Sequence, residues 1–278
     1  MPSSSDHPRP STGLLSGKRI LVTGVLTPKS IAYAIAEACL RAGADVVLSS
    51  FGRALSLTRR SAQRLSPAPE VIELDVTDVE GVGAAAARVR EMWGGIDGVV
   101  HAIGFAPEDC LGGGFLDAPW SSVSTAIEVS SYSLRTLARE FVPLMPETGG
   151  SIVSLTFDAR VAWPLYDWMG PAKAALEAIS RYLARDLGRR GVRVNTLAAG
   201  PLETIAAKSI PGFEVLKASW QTQAPLGWDS ADARPVADAA VFLLSDLSRA
   251  ITGEMLHVDG GYHSQGAPLL EVVEVARR

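Results

Sequence analysis

One stretch near the start of the chain, KRILVTGVLTPKSIAYAIAEA at residues 18–38, joins a strand pattern to a helix pattern through a single glycine. The first seven residues form a short apolar run with β-branched members, which predicts a buried strand. After Gly24 the apolar residues Ile31 and Ile35 recur at helical spacing, and Gly43 predicts the end of that helix. A strand that passes directly into a helix is typical of βαβ units, and these units build parallel sheets.

The same alternation of short apolar runs with longer helical patterns continues along the chain. Most of the runs are apolar on both faces, as strands must be when helices cover both sides of a sheet. Seven runs are predicted as strands, at residues 18–24, 44–51, 71–76, 97–104, 150–157, 192–200 and 254–261. We therefore predict an α/β fold with one Rossmann-type, doubly wound parallel sheet of about seven strands and helices on both faces.

The chain is expected to form one domain. Its 278 residues, 47% of them hydrophobic, are enough for a single α/β domain with a large core. Residues 1–12 lack an apolar run and are expected to be a disordered tail, so the domain spans 13–278. The segment 202–232 lacks strand character and is expected to be a helical substrate-binding lid, because long loops in compact domains are more often functional than idle.

Composition and charge argue against several partners. The net charge is −4 and no long Lys or Arg block occurs, so nucleic acid is not expected. No membrane contact is expected either, because no apolar run approaches the ~20 residues of a membrane span. Cys39 and Cys110 form neither a CxxC pair nor a secreted-type framework, which favours a reducing cytoplasm. His101, His257 and His263 lack metal-ligand spacing, so no metal is expected.

The turn after the first predicted strand leaves two interpretations open. Gly24 is followed by no second or third glycine, so the G-x-G-x-x-G fingerprint of dinucleotide binding is missing. Yet Gly24 permits a tight turn, and Ser30 stands where a helix N-cap would leave N–H groups facing a pyrophosphate. The turn is thus either a capped helix without a ligand or a nucleotide site. The other strand ends carry residues that suit a flat cofactor, several of them small: Phe51, Asp75, Ala102–Gly104 and Ala199–Pro201.

Six motifs in combination resemble one enzyme family. They are TGVLTPKSIAYAIA (23–36), LDVTD (74–78), HAIGFAP (101–107), Tyr166 with Lys173, AAGPLETIAA (198–207) and HVDGGYH (257–263). With them the chain resembles the short-chain dehydrogenase/reductase superfamily and, within it, the enoyl-(acyl carrier protein) reductases, above all their mycobacterial branch. The resemblance covers residues 13–265. It departs from that branch at Ala102, where the branch has serine, and at Thr156, where it has aspartate.

The resemblance implies three catalytic residues and an NADH site. Lys173 would hold the nicotinamide ribose hydroxyls, Tyr166 would hydrogen-bond the thioester oxygen of the enolate, and Phe157 would orient the acyl chain. The further implied substrate contacts are Met169, Phe213, Leu216 and Trp220. The implied NADH contacts are Gly24, Val25, Ser30, Ile31, Phe51, Asp75, Val76, Ala102, Ile103, Gly104, Lys173, Gly200, Pro201, Leu202 and Thr204.

Tyr166 stands seven positions before Lys173, whereas ketone-reducing members of the superfamily place tyrosine four positions before the lysine, where this chain has Met169. Residues four and seven apart share one face of a helix, so Tyr166 is expected about one turn further from Lys173. In an enoyl thioester the hydride goes to C3 while charge develops on the oxygen bonded to C1, so the donor must lie further away. For this geometry Pro171 must lie in the first helical turn.

These features predict an NADH-dependent reductase of the C2–C3 double bond of a trans-2-enoyl thioester, carried by acyl-carrier protein or coenzyme A. Two alternatives stay open: a reductase of the same fold that uses NADH or NADPH on another enone or ketone, and a non-catalytic nucleotide-binding regulator. The resemblance also implies a cytoplasmic homotetramer in fatty-acid-type synthesis. Phe51 is expected against adenine with Arg53 turned outward, which favours NADH over NADPH.

The expected lid is shorter than its mycobacterial counterpart and carries Phe213, Leu216 and Trp220 at helical spacing. A shorter lid predicts a preference for medium acyl chains over very long ones. Lys208 and Lys217 on the same segment are expected to meet the acidic surface of the acyl-carrier protein.

Overall fold

Seven parallel strands form one open sheet in the computed structural model, which describes residues 13–266. The strands are β1 (Arg19–Val22), β2 (Asp45–Ser50), β3 (Glu70–Glu73), β4 (Gly98–His101), β5 (Gly150–Thr156), β6 (Val192–Ala199) and β7 (Met255–Val258). Each overlaps one of the predicted runs, and their order across the sheet is β3-β2-β1-β4-β5-β6-β7. The predicted fold class is confirmed. The expected tail at residues 1–12 lies outside the described residues.

Helices cover both faces of this sheet. They are α1 (Ile31–Arg41), α2 (Leu55–Ala62), α3 (Val79–Trp93), α4 (Trp120–Ile127), α5 (Ser133–Phe141), α6 (Met169–Leu187), α7 (Ile205–Lys208), α8 (Phe213–Gln223) and α9 (Arg234–Leu244). Ile20 and Val22 of β1 pack with α1 and α9, whereas Leu21 packs with α3, α5 and α6. Successive strand residues point to opposite faces, so an apolar run along β1 fills two cores.

A single turn of π-helix at Glu128–Tyr132 joins α4 to α5, and no sequence pattern predicted it. Its Ser130 hydroxyl accepts from the Phe105 N–H at 2.9 Å and donates to the Phe105 carbonyl at 2.8 Å. The next hydroxyl, of Ser131, donates to the carbonyl of Ala172 at 2.5 Å. The turn therefore ties the loop after β4 to α6, which are the two elements on either side of the candidate site. Such turns are frequent at functional sites.

The carboxyl ends of all seven strands lie at the same edge of the sheet because every neighbouring pair is parallel. This is the edge at which open α/β sheets bind ligands. The segment 202–232 follows β6 at this edge and contains α7 and α8. Among residues 13–266 no helix is both long and apolar enough to cross a bilayer.

Candidate active site

Gly24 brings the turn after β1 against the end of β4. Its φ is +82°, in the left-handed region, and a Cβ added there would lie 2.0 Å from the carbonyl oxygen of Ala102. Any side chain at this position would force the two strand ends apart, so both the conformation and the close approach require glycine. The tight turn expected from the sequence is present.

Ser30 stands at the N-cap position of α1, but its hydroxyl does not cap the helix. It instead accepts the N–H groups of Leu26 and Thr27, each at 3.1 Å. The predicted N-cap position is therefore confirmed, although the Ser30 side chain makes no capping hydrogen bond. Because the hydroxyl closes the preceding turn, contact between α1 and a pyrophosphate would have to come from backbone N–H groups at the start of the helix.

Helix α2 also holds this turn. The Thr58 hydroxyl donates to the carbonyl of Val25 at 2.5 Å, and the Ser61 hydroxyl donates to the carbonyl of Leu26 at 3.0 Å. The side chain of Val25 is buried in the core. The turn from Gly24 to Ser30 is thus fixed from two sides before any ligand arrives.

The ends of β2 and β3 present different surfaces. Phe51 leaves 49% of its surface exposed, and Arg53 is exposed beside it. Asp75 accepts both the N–H and the hydroxyl of Thr77, at 3.0 and 2.8 Å. Val76 is buried and its side chain packs in the core. An exposed aromatic ring beside a fixed carboxylate suits an adenine.

Lys173 lies buried in α6, and its ammonium donates to the carbonyl of Leu155 at 2.9 Å. Burial lowers the pKa of Lys173 to about 8, and the negative charge of Glu177 opposes that shift. A Cβ added at Gly104 would lie 3.6 Å from the lysine nitrogen, so bare backbone flanks the amine. An ammonium has three donors, and Leu155 accepts one of them, which leaves two for the hydroxyls of a ribose.

Tyr166 precedes α6 instead of lying on it. The helix begins at Met169, whose N–H donates to the carbonyl of Tyr166 at 3.0 Å. The prediction that Tyr166 and Lys173 share one helical face is therefore wrong, because their seven-residue spacing spans a turn as well as a helix. Pro171 does lie in the first turn of α6, where its missing N–H breaks no helical hydrogen bond.

The backbone on both sides of Tyr166 is left-handed. Leu165 has φ +61° and Asp167 has φ +38°, values that non-glycine residues rarely adopt. The Leu165 carbonyl accepts the Gly112 N–H at 3.0 Å, and the Asp167 carboxylate accepts the Gly113 N–H. Such strain persists only where surrounding contacts enforce it and is typical of functional sites. The loop at residues 112–113 thus holds Tyr166 in place.

The Tyr166 side chain is buried, with its ring edge-on to Phe157 at a centroid distance of 5.4 Å. Burial, assisted by the charge of Glu177, raises the pKa of Tyr166 above its usual value, so the phenol stays protonated near neutral pH. Met169, at the nearer position, is buried and its sulfur lies 3.8 Å from the Ser130 hydroxyl oxygen. A thioether has no proton to donate, whereas the phenol has one.

Phe157 belongs to a group of four aromatic rings, which we call the aromatic cluster. Its members are Phe157, Trp163, Trp220 and Tyr262, and Trp220 stacks on Tyr262 at 3.7 Å. Helix α8 supplies Trp220 and Leu216, and Phe213 at its start is also buried. The structure thus brings Phe157, Tyr166, Leu216 and Trp220 to one place, and buries Phe213 at the start of the same helix.

The segment after β6 packs directly under this cluster. A Cβ added at Gly200 would lie 2.7 Å from Trp228 and 2.9 Å from the indole nitrogen of Trp220. The Trp228 indole donates to the carbonyl of Pro201 at 2.8 Å, and the Thr204 hydroxyl caps α7 by accepting the Ala207 N–H at 3.0 Å. Leu202 is buried. Of the expected cofactor contacts here, Gly200 lies against Trp220 of the cluster.

The two lysines expected to dock a carrier protein differ in their surroundings. Lys217 is paired with Glu203 at 3.0 Å and with Glu214 at 2.9 Å, and its side chain is mostly covered. Lys208 is half exposed and lies 3.6 Å from Glu203. Lys217 therefore ties α8 to the start of the lid segment at Glu203, and Lys208 is the more accessible cation.

A cavity of about 470 Å³ lies beside Phe157, with one aromatic wall and one charged wall. On the charged wall Asp158 accepts from Arg160 and contacts His257 at 3.0 Å. His257 stacks on His263 at 3.8 Å, and His263 lies 3.0 Å from Asp259. The histidine spacing in the sequence gave no signal for this stack, because the residues meet through the turn after β7.

Several residues that shape the site were not predicted. They share one property, a polar side chain that bonds a distant backbone or side chain: Thr23, Thr58, Ser61, Asp158, Glu177 and His257. Thr and Ser at these positions read as ordinary helix or strand residues in the sequence. The one signal that could have found Glu177 is its place one helical turn after Lys173.

The parallel sheet, the Gly24 turn and the buried lysine beside bare backbone define a class, the nicotinamide-dependent oxidoreductases of Rossmann type. The family model for enoyl-(acyl carrier protein) reductase matches residues 24–263. The chain is 44% identical to the NADH enoyl-(acyl carrier protein) reductase of Mycolicibacterium smegmatis over 268 residues, which cover 91% of this chain and 99% of that relative. It therefore belongs to the enoyl-(acyl carrier protein) reductase family.

Two further relatives carry the same name. The enzyme of Mycobacterium avium is 42% identical, over 91% of this chain and 98% of its own length. That of Aquifex aeolicus is 41% identical, over 91% of this chain and 94% of its own length. The expected family is thus confirmed.

Proposed function

We propose that this chain reduces the C2–C3 double bond of a trans-2-enoyl thioester carried by acyl-carrier protein, with NADH as the reductant. The observation that carries the proposal is the buried phenol of Tyr166, whose ring lies edge-on to Phe157. Met169 occupies the position four residues before Lys173, and the Lys173 amine lies beside the backbone of Gly104. This arrangement supplies a proton donor that is separate from the Lys173 amine proposed to hold the cofactor. Reduction of an enoyl thioester needs that separation, and reduction of a ketone does not.

The residues present fit NADH at the carboxyl edge of the sheet. Lys173 has two donors for the ribose hydroxyls beside Gly104, and the exposed ring of Phe51 can cover adenine next to Asp75. The turn from Gly24 and the start of α1 can meet the pyrophosphate. The remaining proposed contacts are Val25, Ser30, Ile31, Val76, Ala102, Ile103, Gly200, Pro201, Leu202 and Thr204. When bound, NADH supplies the hydride that C3 receives.

Tyr166 donates a hydrogen bond to the thioester oxygen as negative charge develops there. Its buried, protonated phenol is in the correct state for this task, and a preorganised donor stabilises charge without reorganising solvent. Phe157 packs edge-on to Tyr166 and so directs the acyl chain away from the phenol. The acyl chain then lies against Met169, Phe213, Leu216 and Trp220, with the lid at 202–232 closing over it.

The reaction is tested by comparing two thioesters of equal length with the purified chain. With NADH in excess, the trans-2-enoyl thioester should be reduced faster than the matching 3-ketoacyl thioester. Faster reduction of the ketone would overturn the proposal and favour the alternative reductase. Binding of NADH with no turnover of any enoyl thioester would favour the nucleotide-binding regulator. Repeating the assay with NADPH checks whether Arg53 reads a 2′-phosphate.

The proposal extends to the carrier, the assembly and the location. Lys208 is the proposed contact with the acidic carrier protein, and Lys208→Glu should raise the KM for carrier-linked substrate but not for the coenzyme A thioester. A homotetramer is proposed from the family resemblance, to be checked by light scattering of the purified chain. Two unpaired, buried cysteines in the described residues support the expected cytoplasmic location.

A further inference from the structure

Glu177 is a buried carboxylate on α6, one turn after Lys173, and the proposed reaction gives it no role. Ionised groups are almost never buried without a partner, because leaving water costs them several kcal/mol in real proteins. Its partners therefore indicate what it does. They lie on the segment that carries Phe157.

One oxygen of Glu177 holds that segment on both sides of Phe157. Oε1 accepts the hydroxyl of Thr156 at 2.9 Å and the N–H of Ala159 at 3.1 Å. Thr156 is the last residue of β5 and Ala159 follows two residues after Phe157. The chain between them has no strand hydrogen bonds to fix it, so the carboxylate supplies that restraint.

We propose that Glu177 is a positioning residue that fixes the Phe157 ring against Tyr166 and places a negative charge beneath Lys173. Thr156 is its partner in this role. The inference rests on the proposed function for its kinetic readout, but not for its cofactor-binding readout.

The negative charge of Glu177 acts on Lys173, whose other neighbours supply no counterion. His101 on β4 is close enough for the Lys173 charge to act on it, and Glu177 itself acts on Tyr166 before α6 and on Arg160 after β5. Burial, with the Lys173 charge, lowers the pKa of His101 to about 3, so this imidazole is neutral. Tyr166 is neutral and Arg160 is cationic throughout the useful range. Glu177 is thus the anion that favours the protonated form of Lys173.

Two conservative variants separate the two parts of the role. Thr156→Val keeps the shape and the charge but removes one hydrogen bond to Glu177. We expect roughly a tenfold fall in kcat on the enoyl thioester with an unchanged NADH dissociation constant, since misplacement by about 1 Å can cost up to about 10²-fold.

Glu177→Gln keeps an oxygen that can accept both hydrogen bonds but removes the charge, so the pH at which NADH binding weakens should fall.

The matched control is Asp186→Asn, which removes an exposed carboxylate from the same helix. It should leave kcat and the pH profile of NADH binding as in wild type. NADH binding is followed by quenching of protein fluorescence, so the Glu177→Gln result does not depend on finding a substrate. If wild type reduced no enoyl thioester, the proposed function would fail, but the pH profile of NADH binding would still test the role of the Glu177 charge.

The inference is overturned if Thr156→Val keeps the wild-type kcat and Glu177→Gln keeps the wild-type pH profile. A purely structural role would lower the thermal midpoint of both variants without moving either readout. Glu177→Leu, which removes both hydrogen bonds and the charge, should combine the two defects. If that variant does not fold, the two conservative variants still decide the matter.

Discussion

Tyr166 lies between two residues whose left-handed backbone conformations are unfavourable for side chains other than glycine. Left-handed residues on both sides of it are held by Gly112 and Gly113, and its raised pKa keeps it protonated. Tyr166→Phe should therefore lower kcat on an enoyl thioester and leave NADH affinity almost unchanged, because the phenol meets substrate and not cofactor. A positioned proton donor contributes roughly 10² to 10⁴-fold.

We expect the effect of Tyr166→Phe near the low end of that range, since a ribose hydroxyl can partly replace the phenol. The measurement is steady-state kcat beside the NADH dissociation constant. Tyr182→Phe, an exposed tyrosine on α6, is the control. An unchanged kcat in Tyr166→Phe would remove the phenol from the reaction.

Lys173 gives cofactor binding a pH dependence. Burial brings the pKa of Lys173 down to about 8, so the amine is protonated below that pH and neutral above it. The protonated form has three donors, so NADH affinity should be highest below pH 8 and weaken as the pH rises through it. Lys173→Met should bind NADH weakly at every pH and lose this dependence.

Fluorescence titrations with NADH across this range check the Lys173 prediction. Lys18→Met, at the opposite edge of the sheet and paired with Asp246, should behave as wild type. An affinity that rises with pH would show that neutral Lys173 is the binding form.

Helix α8 limits the space for the acyl chain at the scale of an element. Trp220 fills the room between Phe157, Trp163 and Tyr262, and its indole N–H is buried without a partner among the described residues. Trp220→Ala should raise kcat/KM for very long enoyl chains relative to medium ones, because the ring that closes the space is gone. Values of kcat/KM measured on a series of chain lengths give this ratio. Because unfolded protein turns over neither substrate, the ratio describes only the folded fraction of the variant.

Trp220→Phe is the matched variant for this lid prediction. It keeps an aromatic ring and removes the unpartnered donor, so it should keep both the medium-chain preference and the stability of wild type. The alanine variant should lose about 3–5 kcal/mol of stability, as large-to-small changes in a core do. A wild-type preference that rises steadily toward very long chains would contradict the short-lid interpretation.

At the scale of the whole molecule, the sequence predicted what local patterns control. Apolar runs located all seven strands, and Gly24 marked the turn because only glycine tolerates its conformation and its contact with Ala102. The start of α6 was not predictable, since the left-handed turn around Tyr166 depends on a loop 54 residues away. Glu177 was missed for the same reason: its burial depends on Thr156 and Ala159, which the fold alone brings near.

Long-range contacts of this kind also set how the molecule responds to acid. Asp158 joins the end of β5 to β7 through His257, 99 residues away. Burial raises the pKa of Asp158, but hydrogen bonds from Arg160 and His257 outweigh it and bring the pKa down to about 2, below the usual 3.8. Because the folded chain binds this proton less readily than the unfolded chain, the stabilisation from Asp158 is complete above pH 3.8 and is lost as the pH falls through 2.

Asp158→Asn should therefore unfold at lower urea concentration than wild type at neutral pH, and the gap between the two midpoints should close as the pH is lowered through this window. Asp45→Asn, an exposed change at the start of β2, should show no gap at any pH. The titration of urea midpoints has to stop where wild type itself unfolds. A gap that stays constant down to that point would mean that the Asp158 carboxylate acts through packing and not through its charge, and that the link between β5 and β7 does not depend on ionisation.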